Sequence, residues 1–184
     1  MATVTLLNGA PASGKSTLAG LLARDRAMTL VLDVDSVRGA LARWEEDPTE
    51  AGWSARRLAL AMCECHLAAG HDVIVPQFLQ REEFIDQLED VAAQAGARFL
   101  ELCLVSSRDQ AAAQFDARAG SLQANHRAAT MLQSATDARP VEELYDAMIA
   151  MIENRPQTLR VNIVPGDVHE SLIRLRDATA QGAR

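Results

Sequence analysis

The sequence predicts an α/β domain with a mostly parallel sheet covered on both faces. Three observations carry that prediction. Five short apolar runs alternate with longer amphipathic segments. Glycine closes several of these segments and proline opens one, as helix ends require. A glycine-rich phosphate-loop pattern stands where the first apolar run meets the first amphipathic segment. With 184 residues, no internal repeat and no low-complexity linker, one domain spanning 1–184 is expected.

The elements follow in order. "TVTLL" (3–7) reads as a buried strand, and 15–25 as a helix with Leu18, Leu21 and Leu22 at helical spacing. "MTLVLD" (28–33) reads as the second strand and "SVRGALARW" as a short helix. The acidic "EEDPTEAG" (45–52) reads as a loop, broken at Pro48 and Gly52. A long helix is expected from about Trp53 to Ala69, stopped by Gly70. "DVIVPQF" (72–78) is the third strand, "REEFIDQLEDVAAQAG" a helix, and "RFLELCLV" (98–105) the fourth strand. Residues 109–119 and roughly 125–135 read as helical, with Gly120 between them. Pro140 opens a helix whose Leu144, Met148, Ile149 and Ile152 share a face. "LRVNIV" (159–164) is the fifth strand, and Asp167 is placed to cap a last helix.

Composition narrows the function classes. A formal net charge of −7 argues against a general nucleic-acid binder, which needs a basic footprint. No apolar run approaches membrane-spanning length, and "MATVTLLNG" lacks the charged start and apolar core of a signal peptide. Cys63, Cys65 and Cys103 are odd in number and lie in apolar contexts, which suits reduced, mostly buried thiols and a cytoplasmic setting. "CECH" (63–66) has no second Cys/His pair at zinc spacing, so its reading is structural.

"GAPASGKS" (9–16) fits G-x-x-x-x-G-K-[ST], with a predicted strand before it and a predicted helix after it. Such a loop turns backbone N–H groups inward around phosphate oxygens, and the helix start adds its positive end. Gly9, Ala10, Ala12, Ser13, Gly14, Lys15, Ser16 and Thr17 are therefore the expected contacts of a nucleoside triphosphate. Lys15 supplies a point charge at the β and γ phosphates, and Ser16 a hydroxyl for Mg²⁺.

"LLNGAPASGKST" resembles the phosphate-loop segment of P-loop small-molecule kinases, a group that includes shikimate, gluconate and adenylylsulfate kinases, chloramphenicol phosphotransferases and zeta-toxin kinases. "LDVDSVRGAL" is similar to the D-x-D-x-x-R stretch after the second strand of several of them. The resemblance implies a three-layer αβα P-loop NTPase fold with a five-stranded parallel sheet in the order 2-3-1-4-5. It further implies a substrate-side region at about 36–70, a helical lid at about 108–138, and the use of ATP and Mg²⁺.

Residues i and i+2 of a strand share a side, so Asp33 and Asp35 would face one site at the carboxyl end of the second strand. Asp33, closing the apolar run, is the metal-side candidate. By resemblance Asp35 orients and deprotonates the acceptor. The competing reading makes Asp35 or Ser36 a helix cap, with Asp33 solvated. Arg38 reads equally as an anion clamp and as a surface residue.

Two departures from the family pattern stand out. Many relatives carry an acid at the end of the third strand, where this chain has Pro76 and Gln77. Gln77 can bond a metal-bound water or the substrate but adds no charge. Relatives also place two arginines one turn apart in the lid. Here "AAAQFDAR" supplies Arg118 alone, with Arg127 as the candidate second cation. "IVPGDV" (163–168) matches the adenine-side loop and nominates Pro165. Trp44 and Trp53 bracket the acidic stretch and are read as acceptor-pocket walls or as core.

The expected protein is thus an ATP-dependent phosphotransferase acting on an alcohol group of a small polar molecule, such as a sugar or an antibiotic. Its expected partners are a nucleoside triphosphate and a small acceptor, without nucleic acid or membrane, as monomer or homodimer. The alternatives are an ATPase or switch that binds a protein partner, and a nucleoside-monophosphate kinase. The acidic "WEEDPTE" stretch ranks a neutral or cationic acceptor above a nucleotide.

Overall fold

The computed structural model describes residues 1–118 and 139–182. Five parallel strands form one sheet in the order β2-β3-β1-β4-β5: β1 (Thr3–Gly9), β2 (Leu30–Val31), β3 (Val73–Pro76), β4 (Arg98–Val105) and β5 (Leu159–Asn162). The helices are α1 (Lys15–Leu22), α2 (Val34–Gly39), α3 (Pro48–Ala68), α4 (Glu83–Gln94), α5 (Arg108–Arg118), α6 (Val141–Glu153) and α7 (Val168–Gly182). The strand order is the one the family resemblance implies.

Strand alternation produces the three layers. Val4 and Leu6 of β1, with Val73 and Val75 of β3 and Cys103 of β4, pack against Ala59 and Cys63 of α3, Leu88 of α4 and Met148 of α6. The intervening residues Leu7, Ile74, Leu102 and Leu104 point the other way, onto Leu18 of α1 and Leu175 of α7. Burial pushes the Cys63 thiol up to about 11 and the Cys103 thiol to about 12, so both stay protonated. Cys65 is exposed, unlike the other two.

The helix stops behave as expected: Gly70 and Gly96 adopt left-handed φ values of 82° and 62°. Two local expectations are corrected. Residues 48–52 are helical, not loop. Pro48 occupies the first turn of α3, where no N–H is needed, and the Asp47 carboxylate accepts from Glu50 N at 3.0 Å as the cap. The second strand is an edge strand of two residues, and the short helix after it starts at Val34 and ends at Gly39.

Beside the sheet lies one buried ionic network. The Arg155 guanidinium donates Nε to Glu101 Oε2 at 2.9 Å and Nη1 to Asp86 Oδ1 at 2.8 Å, and Thr158 Oγ1 donates to Glu101 Oε1 at 2.7 Å. It pins α4 and the α6–β5 connection to β4.

Candidate active site

β1 delivers the chain into the phosphate loop at Gly9. A Cβ there would stand 2.9 Å from Ser13 Oγ and 3.1 Å from Leu104 Cβ, so any side chain would force these neighbours to shift. The loop then turns through two left-handed residues, Ala12 (φ 65°) and Gly14 (φ 83°). Alanine at such a φ is strained, a condition found where a backbone is shaped for a ligand. α1 starts at Lys15 with no side-chain cap on its first N–H groups, leaving them for an anion. Lys15 Nζ donates to Ala10 O at 3.4 Å, which folds the ammonium back over the loop. Ser16 and Thr17 are exposed in the first turn of α1, and the buried Ser13 hydroxyl has no hydrogen-bond partner among the described residues.

Asn8, which no sequence motif marks, anchors this loop. Its fully buried amide accepts from Gly9 N at 2.8 Å and from Leu79 N at 3.0 Å, and donates to Leu79 O at 3.1 Å. The loop after β3 is thereby tied to the first residue of the phosphate loop. Asn8→Ala would strand three buried backbone groups. The expected cost is about 1–3 kcal/mol in urea unfolding, together with weaker nucleotide binding. Unchanged values in both would remove Asn8 from this role.

The aspartate pair sits differently from the strand geometry expected of it. β2 ends at Val31, so Asp33 and Asp35 do not alternate along a strand. Asp33 is the N-cap of α2, its Oδ1 accepting from Asp35 N at 2.9 Å and from Ser36 N at 3.4 Å. Asp35 lies in the first turn and pairs with Arg38 at 3.1 Å. The cap is therefore Asp33, not Asp35 or Ser36. Burial pushes the Asp33 carboxyl above the usual aspartate range, and the Asp35 charge adds to this. Its two backbone hydrogen bonds and the Lys15 charge oppose the rise. Lys15 is thus within electrostatic reach of Asp33, although β3 separates the strands they follow.

The Arg38 side chain is only 12% exposed and lies 4.9 Å over the Trp44 ring. Its buried Nε has no hydrogen-bond partner among the described residues. Arg38 and Trp44 therefore form one unit holding Asp35, not a solvated surface arginine beside a core tryptophan. Gln77 follows β3, donates its backbone N–H to Leu7 O at 3.2 Å, and keeps a buried amide oxygen without a partner among the described residues. Pro165 is exposed in the turn after β5, beside Gly166 (φ 80°). Arg118 ends α5, but its side chain, like all of Arg127 and the predicted helix at 125–135, lies outside the described residues.

A cleft of about 690 Å³ opens between α3 and the loop entering α4, at the carboxyl end of β3. Trp53, Arg56 and Arg57 of α3 face Phe78, Leu79 and Arg81 across it. Trp53 does not pair with Trp44 around a loop; it stands on α3 and is 60% exposed. The three arginines belong to no contiguous motif in the sequence. The available signal is the helical spacing of Trp53, Arg56 and Arg57, together with Arg81 in the loop between the third strand and the next helix.

A family model described as AAA domain matches residues 4–140. A search of curated proteins finds no match. Among solved structures, a gluconokinase from Sinorhizobium meliloti 1021 superposes with a TM-score of 0.60 at 16% identity, over 97% of this chain and 92% of that one. The Mycobacterium tuberculosis APS kinase CysC in complex with AMPPNP and APS gives 0.58 at 22% identity, over 97% and 98%. The Deinococcus radiodurans tunicamycin resistance protein gives 0.61 at 13% identity, over 98% and 95%. The fold is therefore the one these proteins share.

Proposed function

Because this chain belongs to the AAA domain family and carries a complete phosphate loop, we propose that it is an ATP- and Mg²⁺-dependent kinase acting on a hydroxyl of a small molecule. The observation that carries the reading is the phosphate loop itself, whose left-handed Ala12 and Gly14 lead into the uncapped start of α1; the electrostatic reach of Lys15 to Asp33 supports it. The names of the neighbours, gluconokinase and APS kinase, support phosphoryl transfer to a small acceptor. The tunicamycin resistance protein keeps an antibiotic among the candidates. Among the described residues no helix is long and apolar enough to cross a membrane.

In this reading the loop from Gly9 to Thr17 cradles the triphosphate, and Pro165 borders the adenine. The donor set fits Mg²⁺, which binds through one or two protein oxygens and keeps phosphates and waters for the rest. Ser16 and Asp33 would hold it, and when bound it neutralises charge on the β and γ phosphates. Arg38 and Trp44 orient Asp35, whose carboxylate takes the proton of the acceptor hydroxyl. That oxygen bonds to the γ phosphorus as the bridge to the β phosphate breaks, and ADP leaves. Lys15 and Arg118 stabilise the charge on the moving group, while Gln77 and Arg127 complete the acceptor side.

Asp33→Asn separates site from scaffold. Asparagine keeps the cap oxygen and removes a charge that burial and Asp35 disfavour. The raised Asp33 pKa means the folded state favours the protonated form, and stability is lost as pH rises through the folded value. The variant should therefore be at least as stable as the parent at neutral pH, its advantage disappearing below the ordinary aspartate range, while Mg²⁺-dependent turnover collapses. Lower stability at neutral pH, or full turnover, would contradict this. The reading itself is tested by ATP consumption against a panel of metabolites and antibiotics, with mass detection of products. Acceptor-dependent consumption supports it; hydrolysis indifferent to every acceptor favours the switch.

A further inference from the structure

The geometry points to an anionic acceptor, one bearing a phosphate or carboxylate on a flat, partly apolar body, bound in the cleft between α3 and the loop entering α4. This inference rests on the kinase reading and adds the chemical class of the acceptor to it. The cleft volume of about 690 Å³ falls within the usual range for a small-molecule site. Its lining includes none of Asp35, Arg38, Trp44 and Gln77, so the cleft would hold the anionic end of the acceptor rather than its reacting hydroxyl. It lies at the carboxyl end of β3, between the strand leading into the phosphate loop and the strand leading into Asp33 and Asp35. Leu79 in its wall is held by Asn8, the residue before Gly9.

The charge of the lining decides the class. In a protein of net charge −7, three arginines converge on this one cleft, against the single carboxylate of Glu83. Arg57 is already engaged, its Nη2 lying 3.1 Å from both Glu50 Oε1 and Ser54 Oγ. Arg56 and Arg81 meet no carboxylate within ion-pair distance among the described residues. The Arg56 guanidinium instead sits 5.8 Å over the buried Phe84 ring, which limits the directions it can take. A guanidinium is a planar fork matched to carboxylate and phosphate oxygens. Trp53, 60% exposed on the same wall, offers a broad apolar surface against which a flat ring can lie. A cationic acceptor would be repelled here, and a neutral one would leave both guanidiniums unused. The acidic stretch before Trp53 does not set the sign of the site, because the acceptor faces the arginines one turn further along α3.

The test uses the full chain saturated with AMP-PNP and Mg²⁺, so that the phosphate loop is occupied. Matched pairs are titrated calorimetrically: gluconate against glucose, glucose 6-phosphate against glucose, and nucleoside 5′-monophosphates against their nucleosides. At least one anionic member should bind about tenfold or more tightly than its neutral partner, as expected for charge-assisted hydrogen bonds. The exposed double substitution Arg56→Gln/Arg81→Gln should weaken that member by about 10- to 100-fold and leave AMP-PNP affinity unchanged. Equal binding of neutral partners, no binding by any anionic member, or an unaffected double variant overturns the inference. The same panel with ATP separates the two readings. Phosphorylation of neutral acceptors alone overturns the anionic cleft and leaves the kinase standing. Tight anionic binding without any phosphorylated product does the reverse.

Discussion

Asp35→Asn should lower kcat by about 10²- to 10⁴-fold and leave ATP affinity unchanged, the signature of a lost general base. The geometry makes this a clean substitution. Asp35 makes its cap contact through its backbone N–H, which asparagine retains. Its carboxylate meets Arg38 in a partly exposed pair, and such pairs contribute about 0–1 kcal/mol to stability. The fold should therefore survive while the proton acceptor disappears. Arg38 also lies over the Trp44 ring, a contact that the substitution leaves in place. Turnover by the variant at the parental rate, on an acceptor whose product has been verified, would exclude Asp35 as the base.

Arg155→Ala should destabilise the protein by about 3–5 kcal/mol in urea unfolding, the usual cost of leaving one partner of a buried ion pair alone. The Glu101 side chain is 1% exposed, and removing Arg155 leaves its charge with the Thr158 hydroxyl and the apolar layer under α4 and α6 among the described residues. Replacing both partners, with Arg155→Met and Glu101→Leu, should recover most of the loss, since the uncompensated charge goes as well. A single-variant loss below about 1 kcal/mol would show that water reaches Glu101 or that the chain relaxes around it.

What was legible in the sequence was local. The phosphate loop is a contiguous motif whose glycines and lysine act within a few residues of one another. The stops at Gly70 and Gly96 are single-residue conformational requirements. The apolar run in "RFLELCLV" marks the full extent of β4, because both faces of that strand are covered. The aspartate pair was legible as a site but not as a geometry. An apolar run before Asp33 looks like a long strand, whereas the edge position of β2 lets the chain turn into α2 after two paired residues. Pro48 looks like a breaker by itself, but the same residue opens a helix when a capping aspartate precedes it. The arginine-lined cleft was hidden for another reason. Arg56 and Arg81 come from separate elements, and only the packing of α3 against α4 brings them to one cleft. Glu101 was hidden likewise, since a charged residue in a strand looks solvent-facing until Arg155 is found beside it.

The central claim is that the γ-phosphoryl group leaves ATP for a second molecule held beside Asp35. Its most direct measurement follows ATP labelled in that group, incubated with the protein, Mg²⁺ and an acceptor drawn from the anionic panel. Label should appear in the acceptor at a rate that Asp35→Asn abolishes. Label found only in inorganic phosphate, at a rate no acceptor changes, would contradict the claim.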